Sequence, residues 1–233
     1  MGGTTFDGWL RGFEDAAELR ARESSPPWQA GGVLDRAVVR SVQKFQAGED
    51  GDGASLIGKS ARAGDPAYAA AVRLFVAEEQ NHARLLEQLL LNAGASTIDG
   101  HWSDKVFVSV RRAFGLRLEL MTLMVAEVVA LRYYETLRDG TEDPVLTEVA
   151  ARILADEERH VPFHVHRLRD GFAHVPRPAR LAAAAGWWIL MLGAVGVVAV
   201  DHGPALRHLG VRPLQFMADT LQLFRPIAAE VLR

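Results

Sequence analysis

One pattern occurs twice in this sequence and limits what the chain can fold into. Glu49 is followed, after 28 intervening residues, by Glu78 and Glu79, with His82 three positions beyond Glu79. Glu127 is followed, after the same 28, by Asp156 and Glu157, with His160 three positions beyond Glu157. Each member of the first set recurs 78 residues later in the second. Residues i and i+3 share a helix face, so Glu79 stands beside His82 and Glu157 beside His160. Each pair can offer a carboxylate and an imidazole to one ion. The repeated interval fits a helical hairpin: arms of about 13 residues, at ~1.5 Å per residue, bring the upstream glutamate level with the motif, ~20 Å from the turn. The flanking residues are apolar at helical spacing. Val72, Phe75, Leu86 and Leu89 share the stripe of Glu79 and His82, and Leu116, Leu120, Leu123 and Tyr134 that of Glu127. A buried, unpaired carboxylate costs several kcal/mol. Four glutamates converging on buried stripes therefore point to divalent cations.

The rest of the sequence reads as all-α. Strand-like alternation is not sustained, and helical periodicity is strong in most segments. It predicts a short amphipathic helix over 5–23, a linker over 24–32, and long helices over 33–62, 66–93, 106–138 (with a break near Gly115) and 144–170. Asp143 suits a helix cap and Pro144 the first helical position. An apolar helix over 181–200 and shorter helices follow. The organisation expected is an N-terminal helix and linker (1–32), a di-metal four-helix bundle (33–170), and C-terminal helices packed on it (171–233). Gly48, Gly51 and Gly53 surround Glu49 and are expected to loosen the helix or leave space beside the metals, since each costs a helix interior about 1 kcal/mol. Calcium-loop ligand spacing is missing there.

Four further residues accompany the ligand set. Glu78 and Asp156 precede the ligand glutamates and are positioned to accept the outer N–H of a histidine from the opposite repeat, fixing its tautomer. His164 lies one turn after His160 and is a candidate additional ligand or a hydrogen-bonded core histidine. Tyr134 lies two turns after Glu127 on the same stripe and is a candidate catalytic hydrogen-bond or electron donor, or an aromatic core residue.

This constellation resembles that of the ferritin-like di-iron carboxylate proteins, in which two helices give one Glu each and two give Glu-x-x-His. The resemblance covers residues 33–170 and implies a ferritin-like four-helix bundle. It further implies that Glu79 and Glu157 bridge two ions, with Glu49 and His82 completing one site and Glu127 and His160 the other. Two iron ions are implied, with manganese as the alternative. In overall length and in its extra helices the chain is also similar to the aldehyde-deformylating oxygenases. The activity implied is that of a non-haem di-iron oxygenase or oxidase that uses O2 to oxidise a small, apolar organic substrate. Iron storage and peroxide reduction are the alternatives in the same class.

Composition bounds the partners. The chain has no cysteine, so it builds no iron–sulfur cluster and needs an external electron donor of the ferredoxin or reductase type. The net charge of −3, with no basic run, gives no nucleic-acid footprint. The N-terminus has no signal-peptide pattern, so the protein is expected in the cytoplasm, as a small oligomer such as a homodimer. The uncharged run 181–200 leaves two readings: a fifth helix buried in the protein, or a membrane anchor.

Overall fold

Aspartate and proline set where the long helices begin. In the computed structural model of the chain, which describes residues 5–100 and 115–233, Asp35 caps α2 (Arg36–Glu49), accepting from the Ala37 amide at 2.7 Å. Asp65 caps α4 (Pro66–Asn92), accepting from the Tyr68 amide at 2.9 Å. Asp143 caps α6 (Pro144–Phe172), accepting from the Val145 and Leu146 amides. Proline opens α4 and α6, where its missing N–H has no partner to lose. α1 (Phe6–Arg22), α3 (Ala54–Ala61), α5 (Leu116–Gly140), α7 (Arg177–Asp201), α8 (Gly203–His208) and α9 (Pro213–Val231) complete the order. Every regular element among the described residues is helical. α5 begins just after its N-cap Gly115, where a break is expected; the 106–114 portion of the anticipated helix lies outside the described residues.

α2, α4, α5 and α6 form the bundle. α5 packs chiefly on α6 and α2 on α4, and α4 meets α6 between the two hairpins. α1 lies along α4, α8 packs on α2, and α9 contacts α5, α6 and α7. The core between the helices is filled by Val72, Phe75, Leu86, Leu120, Val128, Ile153 and their neighbours.

Two expectations are corrected. The single helix over 33–62 is two helices, because α2 ends at Glu49 and α3 starts at Ala54. Gly53 makes the turn with φ +62°, and a Cβ there would lie 2.5 Å from Val76 Cγ1. Only glycine accepts both that backbone and that approach. The other correction concerns the apolar helix. α7 is buried along one face only, through Trp187, Met191, Val195 and Ala199, while Leu181, Ile189, Leu192 and Val200 are exposed. Trp187 packs inward and its indole N–H donates to the Met121 carbonyl at 2.7 Å. By length and composition α7 is a helix that could cross a membrane.

Candidate metal centre

Six of the eight residues of the repeat meet in the middle of the bundle. Glu49 is the last residue of α2, Glu79 and His82 lie mid-way along α4, Glu127 on α5, and Glu157 and His160 on α6. One donor atom from each of Glu49, Glu79, His82 and Glu157 lies within 4.8 Å of the others. The same holds for Glu79, Glu127, Glu157 and His160. Glu79 and Glu157 belong to both groups, which is where carboxylates that bridge two ions must stand.

The atoms facing the centre lack protein partners. Glu79 Oε1, His82 Nδ1, Glu127 Oε2, Glu157 Oε2 and His160 Nδ1 are buried and accept or donate no hydrogen bond. His160 Nδ1 is 3.3 Å from Glu79 Oε1, 3.4 Å from Glu127 Oε2 and 3.5 Å from Glu157 Oε2. His82 Nδ1 is 3.5 Å from both Glu79 Oε1 and Glu157 Oε1. These separations are long for hydrogen bonds and suit neighbours around a shared cation. Leaving so many buried polar atoms unsatisfied would cost about 1–3 kcal/mol each. Two dications would match four carboxylates with neutral imidazoles. The donor set therefore fits a pair of metal ions.

The outer edges of the histidines are tied. His82 Nε2 is 3.0 Å from Asp156 Oδ2, and His160 Nε2 is 2.9 Å from Glu78 Oε2. Each acid thus meets the histidine of the opposite repeat, and the Nε2 bonds leave both Nδ1 atoms turned inward. Sequence reasoning missed what holds the acids. Arg20, from α1, bonds Glu78 and lies 3.8 Å from Asp156, and Arg159 bonds both acids. α1 also brings Phe13 against the His160 ring, at 6.2 Å between centroids.

Burial and crowding set the charges. Burial first, then the charges of Glu49, Glu127 and Glu157, push the Glu79 carboxyl well above its ordinary value. Burial first, then Glu127, does the same to Glu157, and burial raises Glu49. Glu127 is the exception: burial pushes it up, but the His160 imidazole outweighs that and holds it at about 2. The same carboxylates overcome burial to raise His160 well above the usual imidazole range. Without cations, the cluster carries protons instead.

The two remaining candidates sit at the edge of the cluster. Tyr134 donates from its hydroxyl to Glu49 Oε1 at 2.7 Å. His164 is fully buried, neither of its ring nitrogens has a hydrogen-bond partner, and Nε2 is 4.0 Å from Glu127 Oε1. Burial lowers it to about 4, so its ring is neutral at physiological pH.

Solved structures of R2-like ligand-binding oxidases have the same architecture. A mutant with an anaerobically reconstituted Mn/Fe cofactor aligns with a TM-score of 0.70 at 15% identity, covering 95% of this chain and 92% of that one. The chain has the ferritin-like fold. A second structure, with an aerobically reconstituted metal cofactor after photoconversion, aligns at 0.69 and 14% identity, again over 95% and 92% of the two chains. No family model and no curated protein matches the sequence. The ferritin-like bundle accounts for α2, α4, α5 and α6, and the alignment extends to most of the surrounding helices as well.

Proposed function

We propose that the protein is a non-haem di-metal oxidase or oxygenase that holds two iron ions, or iron with manganese. In this reading it oxidises a small, apolar organic substrate with O2 and draws electrons from an external donor. The observation that carries the proposal is the sharing of Glu79 and Glu157 between two donor groups whose inward atoms have no other partner. When bound, the metal pair supplies the redox chemistry that activates O2.

The residues divide the remaining work. Glu49 with His82 and Glu127 with His160 would hold the two ions, and Glu79 and Glu157, common to both donor groups, would be shared between them. Carboxylates suit this because they can change between terminal and bridging attachment as the ions change charge. Glu78 and Asp156 aim the imidazoles. Tyr134 anchors one oxygen of Glu49 and so fixes which oxygen faces the centre. His164 is an additional donor on the Glu127 side. The repeat places Leu86 where the second half has His164, so a packing role at this position is filled by a hydrocarbon in one half and by an unpartnered imidazole in the other.

The test is metal loading. Full-length protein supplied anaerobically with ferrous iron should bind about two ions per chain and consume O2 on exposure to air. Glu79→Ala and His160→Ala should lose both properties. Full iron binding by those variants would remove the proposal, and uptake of many irons per chain would replace it with iron storage.

A further inference from the structure

α5 carries a second buried tyrosine beside Tyr134, and no ligand role uses it. The Tyr133 ring meets Tyr134 edge to face, 5.4 Å between centroids, and stacks on Phe45 at 3.5 Å. Its hydroxyl lies 2.8 Å from Ser41 Oγ, and Ser41 Oγ lies 2.8 Å from His202 Nδ1. Ser41, Tyr133 and His202 are all buried, and they come from α2, α5 and the junction of α7 with α8. That junction is at the outside of the molecule. Val200, two residues before His202, is 82% exposed, and Asp201 pairs with Lys44 at 2.8 Å. A continuous line of side chains therefore runs from Glu49 through Tyr134, Tyr133 and Ser41 to His202. The repeat offers no counterpart, because Ser55 and Leu56 stand where the second half has Tyr133 and Tyr134. Packing alone does not explain a hydroxyl–hydroxyl–imidazole chain in this layer, since each polar atom must be matched to be buried at all.

We propose that Tyr133, Ser41 and His202 form a proton-coupled electron route between the exterior at the α7–α8 corner and the metal centre. The proposal rests on the di-metal reading above. Tyr133 gives up one electron, by way of the Tyr134 ring, to the metal pair once O2 has oxidised it. Its phenol proton passes to Ser41 Oγ as the Ser41 hydroxyl hydrogen passes to His202 Nδ1. The ring becomes a neutral tyrosyl radical, and no charge is left on the buried phenol. A one-electron donor of the iron–sulfur or flavin class returns an electron to Tyr133, and the proton comes back along the same path. One electron moves from donor to centre, and no proton is gained or lost. Tyr133 is a relay residue, and Ser41 and His202 position its proton.

The experiment uses full-length protein loaded with ferrous iron, mixed with O2 in the absence of substrate, freeze-quenched and examined by electron paramagnetic resonance. Iron content is measured on every sample. Wild type should develop a tyrosyl signal that Tyr133→Phe lacks while keeping its two irons. Ser41→Ala, which retains the phenol and removes its proton acceptor, should slow formation of the signal by at least on the order of tenfold. A signal of undiminished size in iron-loaded Tyr133→Phe, or no tyrosyl signal in loaded wild type, overturns the route and leaves the di-metal reading standing. Wild type that takes up no iron overturns both.

Discussion

Nε2 of His160 lies 2.9 Å from Oε2 of Glu78, a residue of the opposite hairpin. The pair reaches across the bundle, so an imidazole on α6 is aimed by an acid on α4 that sits beside Glu79, a proposed ligand. Removing the acid should be felt at the far ion. Glu78→Ala is expected to weaken metal binding by about 10–100-fold, measured by competition with a chromogenic chelator, while leaving the helical content unchanged. Undiminished affinity would show that His160 is oriented by packing alone.

His164 makes the two halves of the centre unequal. Replacing it with the residue found at the equivalent position of the first repeat, His164→Leu, should preserve the two-ion stoichiometry. It should weaken one of the two binding steps by about tenfold or more. Calorimetric titration of the metal-free protein separates the steps, and identical isotherms for variant and wild type would make His164 a core histidine only.

Protons and metals compete for the same carboxylates. Glu79, Glu157 and Glu49 are raised from 4.5 chiefly by burial, so the folded metal-free protein holds protons that the unfolded chain releases above that pH. Its stability falls as pH rises through this window. His160, raised from 6.5, acts in the same direction as pH rises toward its folded value. His164, lowered to about 4, acts oppositely, but only below 6.5 where the unfolded imidazole charges. Above pH 6.5 the trend is therefore a loss. Metal-free protein should melt at a lower temperature at pH 8 than at pH 6.5, and metal-loaded protein should not. Metal uptake in weak buffer should release protons, read with a pH indicator. No proton release would contradict the raised carboxyls.

Gly53 opens α3 four residues after Glu49, the last residue of α2. Gly53→Ala puts a side chain in the left-handed region, at a cost of about 1–2 kcal/mol, and pushes its Cβ against Val76, for about 1–3 kcal/mol more. Urea denaturation of the metal-free protein should report a loss within the sum of these ranges. Adding Val76→Ala should relieve the steric share while adding its own cavity cost, so the double variant should be more stable than the two single losses added together.

The convergence of the six residues was legible because it depends on local rules. A three-residue spacing fixes a helix face, and an equal interval fixes a hairpin, so Glu79, His82, Glu157 and His160 could be placed without knowing how the helices pack. The pairing of Glu78 with His160 followed from the same symmetry. What escaped depends on long-range contact. Helical periodicity continues past Glu49 into Leu56 and Ile57, and the close approach of Gly53 to Val76 on another helix leaves no mark in the local pattern. Arg20 reaches the centre from α1, 58 positions before Glu78, and nothing in its surroundings marks it among the many arginines. The bond between Ser41 and His202 joins residues 161 positions apart. An uncharged run such as 181–200 gives no polar stripe, so it could not say which face of α7 would be left bare.

Three departures from the repeat give the second hairpin polar side chains near the centre that the first lacks: His164 opposite Leu86, and Tyr133 and Tyr134 opposite Ser55 and Leu56. A protein assembled from two copies of the first hairpin would still gather four carboxylates and two imidazoles. It would be an even-handed cage, able to sequester ions and offering them identical company. The second hairpin makes the cage lopsided, so two ions held there would differ in their surroundings before any reagent arrives. Engineering symmetry back, by swapping those three residues for their counterparts, would separate the capacity to hold metal from the capacity to put it to use.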